Sequence, residues 1–346
     1  VKAAVFAEYG PPEVLRYIDV PDPEPRFGEV RIKVHAATVN RVLDVSLRAG
    51  GEPQRNAVLP CIPGVDCAGV IDKLGDGVTR WKIGERVAAA GTMPLEPVPD
   101  DDSPYDGPQG MIGIKRPGAF AEYITVPARA VVPLPGDIDF HQAAVAMRHV
   151  PTAWNLLVNL AKLRADEWAL IMGASGNLGS IGIQIAKNVI RAHAIGAAGS
   201  HDRAQLGLEL GADAVVDYGT HDIYDEVMRI TGGRGVDVLY DNIGNPRVLP
   251  RAFKTLRLGG RLVTAGAHAG PEVTIDFDHL YDRRITIYGM PGRRASDEPE
   301  CFRLVAEGKI KMHIGRVMPL SHAAEAHRLM ETDPDVGKIV LDPTLV

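Results

Sequence analysis

Residues 168–186 read WALIMGASGNLGSIGIQIA, and the fold turns on how this stretch is read. Four apolar residues, Ala169 to Met172, run straight into a cluster of small ones. Beyond the cluster, Leu178, Ile181, Ile185 and Val189 recur at helical spacing. The pattern predicts a buried strand, a sharp turn and an amphipathic helix. Such a turn aims the free N–H groups of the first helical turn, and the positive end of the helix dipole, at whatever lies above it. The small residues fall as Ala174-x-Gly176-x-x-Gly179, a dinucleotide fingerprint with alanine in place of its first glycine. Gly176 would let the backbone approach a pyrophosphate, and Gly179 would let the helix pack closely on its sheet. Taken alone, the cluster is as well explained by an ordinary strand-to-helix turn. Its surroundings decide.

Downstream, strand-like and helical segments alternate. HAIGAAGS, ADAVVDY, GVDVLYDNIG, GGRLVTAGA and RRITIYGM read as strands, with helical RAQLGLEL, DIYDEVMRI and RVLPRAFKTLRL between them. With WALIMG these predict an α/β domain, a doubly wound parallel sheet of about six strands over residues 136–290. Just upstream, FHQAAVAMRHVPTAWNLLVNLAKL predicts one or two helices, broken near Pro151. Residues 1 to about 90 hold short β-branched and aromatic segments between Pro and Gly turns, such as EVRIKVHAATV and CAGVIDKLG. Strand character recurs in AFAEYITVP and AVVPLP. Residues 92–118, rich in Pro, Gly and Asp, predict a long loop or lobe, with Asp100 to Asp102 at a solvated tip. From about residue 291 two helical stretches lead to GKIVL, expected to return to the first domain. A β-rich catalytic domain (1–135 with 291–346) and a nucleotide-binding domain (136–290) are therefore expected.

The 346 residues suit two domains, and 45% hydrophobic with 24% charged residues suits a globular chain. A net charge of −6 without a basic run argues against nucleic acid as a partner. No apolar stretch of spanning length and no signal-like start are visible, so no membrane association and a cytoplasmic location are the expectation. Cys61, Cys67 and Cys301 have neither disulfide-framework nor metal spacing.

With alternating strands and helices around it, the glycine turn reads as a dinucleotide site. The second strand runs into Gly199-Ser200-His201-Asp202-Arg203, with a small residue where a ribose-binding carboxylate is usual. Ser200 can donate to a 2′-phosphate, Arg203 can pair with it bidentately, and Tyr218 ends the next strand nearby. These residues favour NADP(H), with Asp202 as the contrary sign. Asn242, Ile243, Gly266 and Ala267 end the fourth and fifth strands, at the carboxyl ends that line such a crevice.

Over nearly its whole length the chain resembles the medium-chain dehydrogenase/reductase superfamily. The resemblance is carried by PGVDCAGVI, LGDGVTRWKIGERV, GAFAEYITVP, TAWNLL, GASGNLGSIGIQIAK, LGADAVVDY, TGGRGVDVLYDNIG, LGGRLVTAGA and GKIVL. It is similar to the quinone oxidoreductase-like branch and its alcohol dehydrogenase-like relatives. The resemblance implies a hydride-transferring enzyme, with Thr152, Asn177, Leu178 and Lys338 joining the cofactor contacts. The catalytic zinc ligands of zinc-dependent members would fall at or beside Asn40, at Val65 and near Arg148, and the four-cysteine lobe at residues 92–118. Valine cannot bind a metal, arginine repels one and the lobe lacks cysteine, so a zinc-free member is expected. The branch usually shows Asn, two residues, then Asp, whereas Asn40 to Asp44 is one longer; either Asn40 or Arg41 takes the Asn place. Asn40, Arg41, Arg148, His149 and Thr152 are the candidates to stabilise charge on an acceptor oxygen. Arg148 could substitute for the metal, or else pair with Asp44 or Asp66. The acceptor is a small molecule, a quinone, an activated C=C or a simple carbonyl, and dinucleotide binding without turnover is the remaining reading. RRITIYGM as an edge strand, like the assemblies of relatives, points to a homodimer or homotetramer.

Overall fold

The computed structural model describes the chain apart from residues 52–55, 267, 268, 271, 290–292, 334, 335 and 346. It divides into two compact units, one of residues 1–148 and 312–346, the other of residues 149–311.

The first unit opens with β1 (Lys2–Val5), β2 (Arg16–Asp19), β3 (Glu29–Val39), β4 (Asp66–Leu74) and β5 (Arg86–Ala90). It continues through β6 (Thr92–Pro94), β7 (Gln109–Met111), β8 (Tyr123–Pro127) and β9 (Val131–Pro133). Helix α1 (Phe140–Trp154) carries the chain into the second unit. There follow β10 (Trp168–Met172), α2 (Asn177–Gln184), β11 (His193–Ala198), α3 (His201–Glu209), β12 (Ala214–Asp217) and α4 (Ile223–Ile230). The unit ends with β13 (Val236–Asp241), α5 (Leu249–Phe253), β14 (Leu256–Thr264), α6 (Phe277–Asp282), β15 (Thr286–Gly289) and α7 (Glu298–Ala306). Back in the first unit lie β16 (Ile314–Pro319), α8 (Ala323–Thr332) and β17 (Lys338–Asp342).

The second unit is the expected doubly wound sheet, parallel throughout, in the order β12-β11-β10-β13-β14-β15. The order reverses at β10, the topological switch point of such sheets, where ligands bind beyond the carboxyl ends. The core of this unit is Leu170, Met172, Ile195, Leu239, Phe253 and Leu262 with their neighbours. In the first unit β16-β17-β3-β4-β5-β9 form one sheet, and β8 also pairs with β3. β3 shows why it sits at the centre. Val30, Ile32 and Val34 are buried on alternate positions, and Ala36 to Val39 are buried on both faces.

Three expectations need correction. The unit boundaries fall at 148/149 and 311/312 rather than 135/136 and 290/291. Side chains explain the shift: Gln142 exchanges two hydrogen bonds with the Met312 backbone (3.2 and 2.8 Å), and His141 Nε2 lies 2.8 Å from Asp342. Gln184 likewise exchanges two bonds with the Lys311 backbone (2.9 and 2.8 Å), fixing that segment to the nucleotide-binding unit. Second, Pro151 does not break its helix; α1 runs through it to Trp154 and continues as a π-helix over Asn155–Leu160. Val150, Ala153, Leu156 and Leu157 are fully buried, and that packing outweighs the one backbone bond proline removes. Third, Asp100 is no solvated tip: it is buried, and its Oδ2 accepts from the Thr79 and Arg80 N–H groups at 3.1 and 2.9 Å. The lobe around it is pinned by β6 pairing with β7. Among the described residues no helix is long and apolar enough to cross a membrane.

Candidate functional site

In the second unit the turn after β10 forms a cradle. The left-handed residue that makes the turn is Gly173 (φ +69°), one place before the alanine of the fingerprint. Ala174 is fully buried beside Gly196, where a Cβ added to the glycine would stand 3.2 Å from its own. Gly179 lies so close to the strand end that a Cβ there would fall 2.0 Å from the Gly173 carbonyl oxygen. Gly176 precedes the helix without a side chain to cap it, so the N–H groups of Asn177, Leu178 and Gly179 open the first turn of α2 uncapped. The helix does not stop at Gln184 but widens to a π-helix over Ile185–Ile190. Arg191 then ends it in the left-handed conformation (φ +64°), the place where a glycine is missing from the sequence.

Around this cradle, Asn242 Nδ2 donates to the Met172 carbonyl at 2.8 Å, tying the end of β13 across the turn. Gly266 passes so near that a Cβ would meet the Asn242 carbonyl oxygen at 2.3 Å. Ile243 is half-buried, its N–H donating to Asp241 at 3.2 Å; Ala267 lies outside the described residues. Ser200 immediately precedes α3, and Arg203 sits in the first turn of that helix. A Cβ on Gly199 would stand 3.2 Å from the Tyr218 ring. Burial raises the Tyr218 pKa, and the positive charge of Arg203 opposes that shift. Thus Ser200, Arg203 and Tyr218 gather at the ends of β11 and β12, with Asp202 exposed on the first turn of α3. Thr152, also in this unit, is buried on α1, and His149 beside it is half-buried.

In the first unit a polar cluster is buried where β3 ends. Thr38 donates its hydroxyl to Asp66 Oδ1. Asn40 Nδ2 lies 3.2 Å from both Asp66 Oδ2 and Thr38 Oγ1, while Asn40 Oδ1 accepts from the Lys338 ammonium at 2.5 Å. Asp44 accepts from the Asn40 N–H at 2.8 Å and from the Gly64 N–H at 3.0 Å. The extra residue between Asn40 and Asp44 is absorbed by a π-helix over Arg41–Ser46, in which the Val45 N–H reaches back to the Asn40 carbonyl at 3.2 Å. Asn40 is in the cluster, and Arg41 is exposed at the first position of the π-helix.

The cluster is strongly charged for its burial. Desolvation first, then the negative charge of Asp66, push the Asp44 pKa up to about 6, against the Asn40 and Gly64 N–H groups. Lys338 is brought down to about 8, by burial first, with Asp66 and Asp44 opposing and Arg148 adding to the fall. Arg148, half-buried, is therefore close enough for its charge to be felt at the ammonium. Asp44, Asp66 and Thr38 were missed as one network with Lys338, which had been placed among the cofactor contacts. The sequence signal was a lysine leading the apolar, strand-like run of KIVLD; the structure buries all five residues, so that lysine needs internal partners.

Zinc does not fit these residues. Val65 is a fully buried hydrocarbon, the Asn40 amide and the Asp66 carboxylate are committed to each other, and a buried ammonium stands beside them. Among the described residues no group of three or more His, Cys, Asp or Glu could hold a metal ion.

A parallel sheet with a glycine cradle at its switch point, on a chain whose other unit is a β-rich fold, is the architecture of a two-unit dinucleotide-binding protein. Residues 178–307 match the family described as zinc-binding dehydrogenase, and residues 26–136 the alcohol dehydrogenase GroES-like domain. A quinone oxidoreductase of Rattus norvegicus is 32% identical, over 99% of this chain and 97% of the relative. A solved NAD-dependent alcohol dehydrogenase is 34% identical over 99% of each chain, with a TM-score of 0.88. Escherichia coli quinone oxidoreductase complexed with NADPH is 26% identical, covering 99% of this chain and 100% of that one, with a TM-score of 0.80. The chain belongs to the medium-chain dehydrogenase/reductase superfamily, among its quinone oxidoreductase-like members.

Proposed function

We propose that the chain is an NADPH-dependent, zinc-independent oxidoreductase whose acceptor is a quinone, an enone or another activated carbonyl compound. The observation that carries this reading is the buried Lys338 ammonium on Asn40 Oδ1, a fixed cation at the region where zinc-dependent relatives hold their metal. Bound NADPH supplies the hydride. The charge that then grows on the acceptor oxygen needs a preorganised cationic donor, and the Lys338 ammonium, with Arg148 felt beside it and Asp44 and Asp66 balancing the pair, is the group that would supply it. Asn40 acts as a positioning residue, because its amide hydrogens are engaged by Asp66 and Thr38 while its oxygen holds the ammonium. Thr38 and Asp44 keep that geometry from the strand side and the Gly64 side. An activated acceptor fits this arrangement, since a diffuse positive potential polarises a carbonyl less than a coordinated metal does.

The cofactor preference rests on Ser200, Arg203 and Tyr218, two hydrogen-bonding groups and a guanidinium around the end of β11, which suit a 2′-phosphate. One observation favours a second reading, an NAD-dependent alcohol dehydrogenase: Asp202 stands in the first turn of α3, and the 34%-identical solved structure is described as NAD-dependent. Titration with NADPH and NADH, followed by turnover with quinones, enones and simple ketones, separates the readings. Tighter NADPH binding with quinone or enone reduction is expected. NADH preference with ketone reduction gives the second reading, and tight binding with no turnover at all makes the chain a nucleotide-binding protein without activity. A stoichiometric, tightly held zinc would overturn the zinc-independent part. Assembly as a homodimer or homotetramer is supported by the edge strand β15, where Ile287 is exposed, and by exposed Phe277 and Tyr281 on the preceding helix.

A further inference from the structure

A second concave site lies in the nucleotide-binding unit, away from the cradle. It is a cavity of about 330 Å³ whose wall carries Arg234, Arg251, Lys254, Arg257, Arg283 and His279 and, among the described residues, no carboxylate. These residues flank the starts of β13 and β14 and the turn before β15. The glycine cradle lies beyond the opposite, carboxyl ends of the same parallel strands. Six residues of β13 separate the two ends by about 20 Å.

The cations are held in place rather than loosely displayed. Arg251 is fixed by Asp222 at 2.7 Å and lies 5.0 Å from the Tyr224 ring centre, itself part of the wall. Lys254 is held by Asp276 at 2.9 Å, and Arg234 by Asp237 at 2.7 Å, while Arg257 shares that same aspartate. With Asp225 at 3.7 Å from Arg251 and Glu167 at 4.0 Å from Arg257, these four cations lean on five carboxylates, none of which lines the cavity, and Arg283 adds a fifth cation to the wall. Each guanidinium has five donors and its carboxylate partner takes only some of them. Cationic side chains that face the concave wall with spare donors, their carboxylates lying off it, suit an anion that accepts several hydrogen bonds at once, and phosphate oxygens do so. The volume suits a small molecule and is too small for a dinucleotide.

We propose that this cavity binds a small phosphate-bearing anion, at a site separate from the cofactor cradle. The test is calorimetric titration of the full chain with inorganic phosphate and with a hexose monophosphate, at constant ionic strength against matched chloride. Each titration is run with and without saturating NADPH, and repeated on Arg283→Ala and Lys254→Gln. Binding that survives saturating NADPH and weakens roughly tenfold in each variant, with NADPH affinity unchanged, is the expected result. Equal affinity for both anions assigns the site to free phosphate, and tighter binding of the hexose monophosphate assigns it to a phosphorylated metabolite; both support the proposal. No binding above the chloride control, loss of binding with NADPH, or unchanged affinity in both variants would overturn it.

Discussion

At the scale of single residues, Lys338 carries the largest testable consequence. Its pKa is lowered to about 8, chiefly by burial, so the ammonium form that holds Asn40 is present below that pH and lost above it. We expect kcat/KM to fall as pH rises through about 8. Lys338→Arg, which keeps its charge, should move that limb to higher pH. Lys338→Met should lower kcat/KM about a hundredfold below pH 8, the usual scale for one preorganised group, and should lack the decline above it. pH–rate profiles of the three proteins decide, and an unchanged Met profile would remove Lys338 from the mechanism. The same depressed pKa has a stability corollary. Between about 8 and the ordinary 10.5 the unfolded chain holds this proton and the folded chain does not, so this group's contribution to stability rises with pH across that window. At the other pole of the reaction, Arg203→Ala should weaken NADPH binding about tenfold and leave NADH untouched, read by fluorescence titration. Equal losses for both cofactors would show that Arg203 does not meet a 2′-phosphate. Much of this was legible only by type. Sequence spacing left Asn40 and Arg41 as rivals, because an inserted residue can be absorbed on either side of the Asn–Asp pair; the structure buries Asn40 and starts a π-helix at Arg41.

At the scale of elements, the strand, turn and helix from Trp168 onward were readable because each rests on local chemistry: an apolar run, small residues and a 3.6-residue period. The position of the tight turn was not, since Gly173 and Ala174 look interchangeable until the backbone shows which is left-handed. Gly179 offers the sharpest test of the element. Its replacement by alanine would press a Cβ onto the Gly173 carbonyl oxygen, whose strand is fixed on both sides by parallel neighbours. We expect a loss of about 2 kcal/mol or more in denaturant unfolding, together with loss of NADPH binding. A stable Gly179→Ala protein that binds NADPH normally would contradict that geometry. The helix ends were the least legible part. Pro151 inside α1 and Arg191 at the end of its π-helix both defy local preference, and both are held by buried neighbours that a window of sequence does not reveal.

For the whole molecule, sequence alternation located the two units, but their limits were off because they are drawn by long-range side-chain bonds. Gln142 to Met312 and Gln184 to Lys311 span 170 and 127 residues, and no local signal announces either. The edge strand β15 yields the prediction at this scale. Ile287→Asp combined with Tyr281→Asp should convert a dimer or tetramer to monomers in light scattering, with the fold retained, because both side chains are exposed in the single chain. If the variant keeps the oligomeric mass of the parent, assembly uses another face.

One feature of the first unit bears on how the molecule is made. Strand β17 pairs with β3 across roughly three hundred residues, and the Lys338–Asn40 bond spans 298. During synthesis the whole nucleotide-binding unit leaves the ribosome before β17 does, and it can fold while the earlier-made β3 still has an open edge. The ammonium proposed to act on the substrate arrives on the same five residues that close that edge. A nascent chain that has gained its nucleotide cradle thus still lacks both the strand and the charge. Completion of the sheet and delivery of that ammonium coincide, so an unfinished chain that already has its nucleotide cradle lacks the group proposed above for the reaction.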